Sequence, residues 1–170
     1  MKKHAIAIHG GAGTILQSSM TTEKENSYRA GLHAALTIGD DLLNMGASAI
    51  DAVEAAVKSL EDNPLFNAGK GAVFTNDGKH EMDASIMNGA DLMAGAVSGI
   101  QQIKNPISLA RLIMEKTDHV FLAGKGAMDF AERMNCAQEP DSYFFTQQRF
   151  DQLNEIRESD KMQLDHSDKK

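Results

Sequence analysis

A histidine and three glycines follow a short apolar run near the start of the chain, in the stretch AIAIHGGAG at 5–13. Glycine lets a backbone approach a ligand closely or adopt positive φ. Backbone N–H groups in such a turn can bind a phosphate or stabilise an oxyanion. Neither the Gly-x-Gly-x-x-Gly fingerprint nor the Lys-Ser/Thr ending of a P-loop is present. The cluster alone therefore leaves open a phosphate site, an oxyanion turn and, as the commonest role, an ordinary tight turn.

The other polar residues offer no clear nucleophile. The six histidines lack metal-ligand spacing, no Gly-x-Ser-x-Gly elbow occurs, and Cys136 has Arg133 as its basic neighbour. Glu81 and Asp83 stand two apart on a predicted strand, so they point to one face and could pair. A solvated face is the favoured interpretation for Glu81, and a buried, hydrogen-bonded role for Asp83. A zinc or iron site is not expected.

The stretch LEDNPLFNAGKGAVF at 60–74 is the most unusual loop of the sequence. It leaves a predicted helix, passes through an Asn-Pro step and ends on two closely spaced glycines. Such a loop has many backbone carbonyls without a partner in secondary structure, and buried carbonyls must find one. A hard cation such as Na⁺ or K⁺ would satisfy several carbonyls together. Ordinary water contacts would also satisfy them, and spacing alone favours that simpler interpretation.

The elements that must position these residues are predicted from apolar periodicity and from capping and turn signals. Ser48 and Asp51 form a capping box, and Asn76-Asp77-Gly78 is a hairpin signal. An Ala- and Gly-rich strand, 93–100, indicates that another element packs very close to it. The predicted helices are 23–45, 48–62, 105–116, 126–134 and a polar surface helix at 146–158. The predicted strands are 4–8, 71–75, 81–87, 93–100 and 119–124.

Composition excludes several classes of protein. The 170 residues, 42% of them hydrophobic, suit one domain with a proper core. The net charge of −7 argues against nucleic-acid binding, and no apolar run approaches the ~20 residues of a membrane-spanning helix. The single cysteine permits no intrachain disulfide, which fits a reducing compartment, so a cytoplasmic location is expected. Residues 159–170 have little to bury and are expected to be disordered.

Five stretches in order and at natural spacing resemble the N-terminal subunit of plant-type L-asparaginases, also called isoaspartyl aminopeptidases. The resemblance covers most of residues 4–134 and is looser over 135–163. The stretches are AIHGGAG at 7–13, GASAIDAVEAAVKSLEDNPLFNAGKGAVF at 46–74, HEMDASIMNG at 80–89, AGAVSGIQQIKNPISLARLIMEKTDHV at 94–120 and LDHS at 164–167.

The resemblance implies an N-terminal-nucleophile hydrolase, which cuts its own precursor ahead of a threonine. That threonine, now the first residue of a β-subunit, is the nucleophile, and its free α-amine is the base. The Gly-Thr-Val-Gly cleavage motif does not occur here. The chain is therefore expected to be the α-subunit, with 1–158 forming half of the fold and 159–170 a linker before the cut. No catalytic residue is expected in this chain, which would be inactive alone.

The implied fold is α+β, an αββα four-layer sandwich completed by the β-subunit and doubled to (αβ)₂. The implied substrates are L-asparagine and β-aspartyl dipeptides. No cofactor is required for the chemistry, but a structural Na⁺ is expected. The residues that match the family's motifs are Asn67, His9, Gly10 and Gly11 as contributors to the active site, and Leu60, Glu61, Asn63, Phe66, Ala68 and Lys70 as main-chain carbonyl ligands of Na⁺.

Other functions stay open on the sequence. A glycosylasparaginase-like hydrolase is a related alternative, although the LFNAGKG loop at 65–71 favours an asparaginase. A small-molecule kinase or phosphate-binding domain would use the glycine turn at 10–13 instead. A non-catalytic binding domain would release no ammonia from asparagine even with its partner subunit present.

Overall fold

The computed structural model describes residues 3–11 and 20–159. This part of the chain contains both helices and the strands of a small sheet, which confirms a fold of mixed α and β elements. The helices are α1 (Thr22–Asn44), α2 (Ala49–Glu61), α3 (Pro106–Lys116), α4 (Gly124–Arg133), α5 (Asp141–Phe144) and α6 (Gln147–Ser159). The strands are β1 (Met82–Met87), β2 (Ala94–Ile100) and β3 (Phe121–Ala123), and Gly69–Gly71 forms a 3₁₀ turn.

Helices α1 and α2 form an antiparallel pair whose ends agree with the sequence prediction. Gly46 ends the first helix in the left-handed region, at φ +88°. The predicted capping box is confirmed, because Ser48 Oγ accepts the Asp51 N–H and the Asp51 carboxylate accepts the Ser48 N–H. Gly39 lets the helices approach closely, since a Cβ there would lie 3.3 Å from the Ala52 carbonyl oxygen.

The described sheet has the order β1-β2-β3. Strands β1 and β2 are antiparallel, and β3 runs parallel to β2 after the crossover through α3. Helix α3 is what packs closely against the Ala- and Gly-rich strand: a Cβ on Gly95 would lie 2.1 Å from the Ala110 carbonyl oxygen. The small residues of β2 thus let α3 lie directly on the sheet, and the core fills the space between them.

One face of β1 is buried and the other exposed. Met82 and Ile86 belong to the core, whereas Asp83, Ser85 and Met87 are exposed. The prediction that Asp83 is buried is therefore wrong, although its carboxylate is hydrogen-bonded: Oδ1 accepts the Gly99 N–H at 2.8 Å. A bulge between Met82 and Ala84 lets the carboxylate bond across to β2.

Glu81 is exposed, as predicted, and bonds separately from Asp83. Its Oε1 accepts the side-chain N–H of Gln101 at 3.2 Å. The two carboxylates take different partners on or beside β2, so no shared hydrogen bond couples them as an acid–base pair.

Two predicted strands do not form. Residues 4–8 adopt no helix or strand within the described structure; instead His4 Nε2 contacts Asp40 Oδ1 at 2.8 Å, along α1. An apolar run becomes a strand only when a neighbour supplies its ladder hydrogen bonds. Residues 71–75 form a single bridge, Phe74 to His80, around the predicted turn, where Gly78 has φ +77°. The turn is confirmed and the strand is not.

The C-terminal third differs in detail. Helix α4 begins two residues earlier than predicted, β3 is shorter, and the short helix α5 was not predicted. The expected disorder of 159–170 falls, after Ser159, outside the described residues. Among the helices described here, none combines the length and apolarity needed to cross a membrane.

His80 is buried inside a cluster of aromatic rings. Its ring lies 4.0 Å from that of Phe74 and 6.0 Å from that of Phe144, measured between centroids, and it is 7% exposed. Burial lowers the pKa of His80 below its usual value, and the nearby backbone carbonyls of Val73 and Ala72 oppose that shift. The neutral imidazole is therefore the form that the fold accommodates.

We predict that His80 makes the fold acid-sensitive. Because its pKa is lowered on folding, its contribution is fully present above the unfolded pKa near 6.5 and is lost as the pH falls through the folded value. In His80→Phe, the free energy of unfolding should vary less steeply with pH in this window, by up to about 1.4 kcal/mol per pH unit. Urea unfolding at several pH values measures the slope.

Parallel pH profiles for His80→Phe and the parent protein would contradict the assignment.

Candidate active-site and cation-binding loop

The loop from Leu60 to Gly71 leaves the end of α2 and closes on the 3₁₀ turn. The Asn63 N–H donates to the Leu60 carbonyl at 3.1 Å, and Asn63 Oδ1 accepts the Leu65 N–H at 3.0 Å. The side chain of Asn63 thereby shapes the chain around Pro64, as asparagine commonly does in turns. Local hydrogen bonds, rather than a sheet, hold this segment.

Two glycines let the end of the loop touch its beginning. A Cβ on Gly69 would lie 2.4 Å from the Glu61 carbonyl oxygen, and one on Gly71 would lie 2.1 Å from that of Phe66. Gly69 also has φ +52°, in the left-handed region. Any side chain at Gly71 would displace main chain, because the atoms it meets are backbone atoms. The loop is thus a closed turn with carbonyl groups directed at its own backbone.

The carbonyls predicted to bind sodium retain acceptor capacity. Those of Asn63, Phe66 and Ala68 accept the N–H groups of Phe66, Ala68 and Gly71, at 3.3, 2.9 and 3.2 Å. A carbonyl oxygen has two lone pairs, so one remains available at each. Main-chain carbonyl oxygens are the type of donor that hard cations bind. All six predicted ligands, Leu60, Glu61, Asn63, Phe66, Ala68 and Lys70, lie on this one loop.

The Glu61 side chain joins the loop to α3. It is buried, and its Oε1 accepts the Ile107 N–H at 2.9 Å in the first turn of that helix. Burial raises the pKa of Glu61 to about 7, against the opposing effect of the Ile107 N–H. Asn105 occupies the N-cap position of α3 but makes no side-chain capping bond, and the Glu61 carboxylate accepts a first-turn N–H of this helix instead.

Asp62, the next residue of the loop, bonds to one side chain at the start of α3 and to one on α5. Its Oδ1 accepts the side-chain N–H of Asn105 at 3.2 Å and the Tyr143 hydroxyl at 3.2 Å. Lys70 Nζ lies 5.2 Å above the centroid of the Tyr143 ring. Burial, followed by the charge of Asp62, raises the pKa of Tyr143 to about 12, so the phenol stays protonated and donates. Helix α5 therefore clasps both ends of the loop.

Asn67 lies at the outer edge of the loop and is exposed. Its Oδ1 accepts the Val73 N–H at 2.9 Å, which fixes the side chain relative to the chain leaving the loop. With the oxygen bonded inward, the amide NH₂ group is the part that can donate to another molecule. The geometry agrees with a residue that presents one amide donor.

The glycine turn and the loop meet at one cleft on α1. A cleft of about 430 Å³ is lined by Gly10 and Gly11 on one side and by Tyr28, Leu32 and Phe66 among others. The Tyr28 and Phe66 rings meet edge to face, with centroids 5.7 Å apart. Gly11 has φ +116°, a conformation that favours glycine. His9 is exposed and, within the described residues, does not line this cleft.

The described arrangement can position a ligand but carries no nucleophile of its own. The cleft is lined without any Ser, Thr or Cys from residues 3–11 and 20–159. In the same residues no group of three or more His, Cys, Asp and Glu side chains is placed to hold a metal. Burial raises the pKa of Cys136, which favours an unreactive thiol. Asn67 does not line the cleft, whereas Glu25 and Arg29, paired at 2.8 Å, do. The chemistry available in the cleft is therefore hydrogen bonding by the glycine backbone and by these two charged side chains.

A family profile described as asparaginase (Asparaginase_2) matches residues 2–170. The chain belongs to the asparaginase family. This result confirms the family predicted from the sequence. Members of the family are therefore a comparison for the loop at 60–71 and for His9, Gly10 and Gly11.

Curated relatives carry two related names. The isoaspartyl peptidase of Salmonella typhimurium is 46% identical over 98% of this chain and 53% of its own length. The plant-type L-asparaginase of Pyrococcus horikoshii is 51% identical over 91% of this chain and 48% of its own. The isoaspartyl peptidase/L-asparaginase of Bos taurus is 51% identical over 74% of this chain and 40% of its own length. The chain spans about half the length of the curated relatives it matches.

Sequence reasoning missed two residues that hold the loop of this asparaginase-family chain. Tyr143 lies on the unpredicted helix α5, and Arg149 lies on α6, which was predicted to be a polar surface helix. Arg149 is buried, whereas the neighbouring apolar residue Phe150 is 37% exposed. No local pattern identifies either residue, because each acts on a segment more than 70 residues earlier in the chain.

We predict that Gly71→Ala disrupts the loop. The new methyl group would meet the carbonyl oxygens of Phe66 and Pro64 at 2.1 and 2.6 Å, so main chain has to move. We expect a loss of about 1–3 kcal/mol in the free energy of unfolding, typical of overpacking. Denaturant titration measures the loss.

Gly126→Ala is the matched control for this substitution. Gly126 lies in α4, where an added Cβ would meet open space and φ is not positive, so alanine should stabilise by about 0.5–1 kcal/mol. Equal effects of the two substitutions would contradict the closed-turn geometry.

Proposed function

We propose that this chain is the α-subunit of an autoprocessed amidohydrolase that converts L-asparagine to L-aspartate and ammonia and cleaves β-aspartyl dipeptides. The observation that carries the proposal is that its relatives include both isoaspartyl peptidases and L-asparaginases. An isoaspartyl peptidase and a plant-type L-asparaginase match nearly the same residues at 46% and 51% identity. Both substrates present the same reacting group, the carbonyl on the β-carbon of aspartate, bonded to nitrogen.

The proposed reaction uses a threonine that begins the β-subunit. Its hydroxyl oxygen attacks the β-carbonyl carbon while its own α-amine takes the hydroxyl proton. The tetrahedral intermediate expels ammonia or an amino acid, which leaves with that proton, and an acyl-enzyme remains. Water attacks the ester, the threonine recovers its proton, and aspartate is released. The absence of a nucleophile from the cleft of the described chain is consistent with this division between subunits.

Asn67 and the glycine turn are the proposed contribution of this chain to the active site. The Asn67 amide, held through its oxygen by Val73, would donate a hydrogen bond to the nucleophile's surroundings or to the substrate. Gly10 and Gly11 would lie against the new N-terminal threonine and adjust when the precursor is cut, which suits residues without side chains. His9 would anchor this turn and take no part in the chemistry.

The loop at 60–70 is the proposed site of a structural sodium ion. Main-chain carbonyls of Leu60, Glu61, Asn63, Phe66, Ala68 and Lys70 would hold it. The ion would neutralise converging carbonyl dipoles and so stabilise the turn that carries Asn67. It would supply no chemistry to the reaction, and no other cofactor is required.

The proposed β-subunit would cover the open face of the sheet. Met87 and Phe121 are exposed on the edge strands β1 and β3, and apolar side chains there favour burial by a partner. A second sheet on this face would give the αββα four-layer sandwich, and two such pairs would form (αβ)₂. A cytoplasmic location fits the single cysteine. Nucleic acid and membrane are not proposed partners.

The alternatives are less well supported. The relatives reported above bear neither a kinase name nor a glycosylasparaginase name. Gly10 and Gly11 line a cleft beside the loop, an arrangement that the hydrolase proposal uses and a phosphate site does not need.

We predict that the whole protein releases ammonia from L-asparagine and leucine from β-aspartyl-leucine, and that Asn67→Ala lowers kcat. The loss of one hydrogen bond to a developing charge should reduce kcat about 10- to 100-fold. Thermal unfolding should stay close to that of the parent protein.

The control is Asn88→Ala, because Asn88 Oδ1 also accepts a backbone N–H, that of Ala90, in an exposed turn. It should leave kcat unchanged. Unaltered kinetics in Asn67→Ala would remove Asn67 from the site, and no turnover of either substrate by the parent protein would refute the proposed function.

We also predict that sodium raises the thermal stability. Replacing NaCl by tetramethylammonium chloride at equal ionic strength should lower Tm by several degrees, since a ligand at 100 times its Kd contributes about 2.7 kcal/mol. Lys70→Ala keeps the main-chain carbonyl and should keep this dependence. Gly71→Ala distorts the loop backbone and should weaken this dependence. The same Tm for the parent protein in both salts would exclude the sodium site.

A further inference from the structure

Helix α6 carries a buried cation. Arg149 is only 3% exposed, although arginine is rarely buried without a specific partner. Its Nε donates to the Gly71 carbonyl oxygen at 3.1 Å, and its Nη1 donates to Gln152 Oε1 at 3.1 Å. The guanidinium is a rigid, planar fork, so these bonds fix its orientation and that of the groups it touches.

The Gly71 carbonyl that Arg149 binds is close along the chain to the bond that orients Asn67. Only Ala72, itself buried, lies between the Gly71 carbonyl and the Val73 N–H, which donates to Asn67 Oδ1 at 2.9 Å. Because peptide groups are planar, fixing the Gly71 oxygen also fixes the Ala72 N–H of the same unit, which donates to the Gly69 carbonyl at 3.0 Å. The φ and ψ angles of the buried Ala72 are then the only backbone torsions between this fixed unit and the Val73 N–H. Arg149 and Asn67 thus bond to two consecutive peptide units, Gly71–Ala72 and Ala72–Val73.

The loop also holds this segment from within. The Gly71 and Ala72 N–H groups donate to the carbonyls of Ala68 and Gly69 at 3.2 and 3.0 Å. These two bonds use the N–H groups of Gly71 and Ala72. The Gly71 carbonyl oxygen points away from the Ala72 N–H and accepts from Arg149. A bond from a charged donor is roughly twice as strong as a neutral one, so Arg149 makes the firmer of these contacts.

A second arginine on the same helix offers a natural comparison. Arg157 Nη2 donates to the Asn76 carbonyl in the hairpin turn. It is exposed and acts on a turn that does not bond to Asn67. Both arginines therefore connect α6 to a backbone carbonyl, but only Arg149 is buried and next to the Val73–Asn67 bond.

We propose that Arg149 is a positioning residue for Asn67, which it holds in place through Gly71 and Val73. Helix α6 thereby sets the placement of an active-site amide that lies more than 80 residues earlier in the chain. The catalytic meaning of this contact rests on the proposed function, whereas its effect on the Val73–Asn67 bond does not.

Amide hydrogen exchange in the whole protein tests the contact independently of activity. In Arg149→Met the Val73 amide should exchange about tenfold faster, as expected when support for one hydrogen bond is lost. Arg149→Lys, which keeps a charged donor without the fork, should have a smaller effect, and Arg157→Met none. If Arg149→Met does not fold, Arg149→Lys must still show faster exchange at Val73. Unchanged exchange at Val73, or an equal increase at all amides, would overturn the proposal.

A double-mutant cycle on kcat tests the catalytic role. Arg149→Met should lower kcat about tenfold with little change in KM, and it should cause no further loss in the Asn67→Ala background. Independent, multiplicative losses would overturn the proposal by showing that Arg149 does not act through Asn67. If the parent protein turns over neither L-asparagine nor β-aspartyl-leucine, the proposed function fails, and exchange at Val73 still decides the contact.

Discussion

The close approach of Gly71 to the carbonyl oxygens of Phe66 and Pro64 is the contact that shapes the described site. It closes the loop on itself, and only a residue without a Cβ permits it. In the closed loop the Val73 N–H lies within hydrogen-bond reach of Asn67. Local hydrogen bonds hold this loop in place of a sheet, and contacts from the surrounding elements add to them.

The neighbouring helices supply the contacts that surround the loop. Helix α1 contributes Gly31, where a Cβ would lie 3.0 Å from the Phe66 ring, so the ring can lie against the helix. Helix α3 receives the Glu61 carboxylate at its first turn, and α5 and α6 bind Asp62 and Gly71. The loop is thus fixed from several directions by elements that the sheet and its core hold together.

The sequence was sufficient where structure depends on near neighbours. The Ser48 capping box, the stop at Gly46 and the turn at Asn76-Asp77-Gly78 follow from local chemistry, and all are present. It failed where the outcome depends on distant partners. Residues 4–8 have strand chemistry but find no ladder in the described chain, and Arg149 has surface chemistry but is buried under the loop. The loop itself was recognised by its resemblance to a family, because spacing alone favoured water contacts.

The proposed function makes this chain one part of an enzyme that completes its active site by cutting itself. Under that proposal this chain contributes the glycine backbone and the Asn67 amide, and a second chain contributes the nucleophile. Intact-mass measurement and N-terminal sequencing of the whole protein after expression test this directly. Two chains are expected, the second beginning with threonine. A single uncut chain that nevertheless hydrolyses L-asparagine would contradict the proposed division of the site.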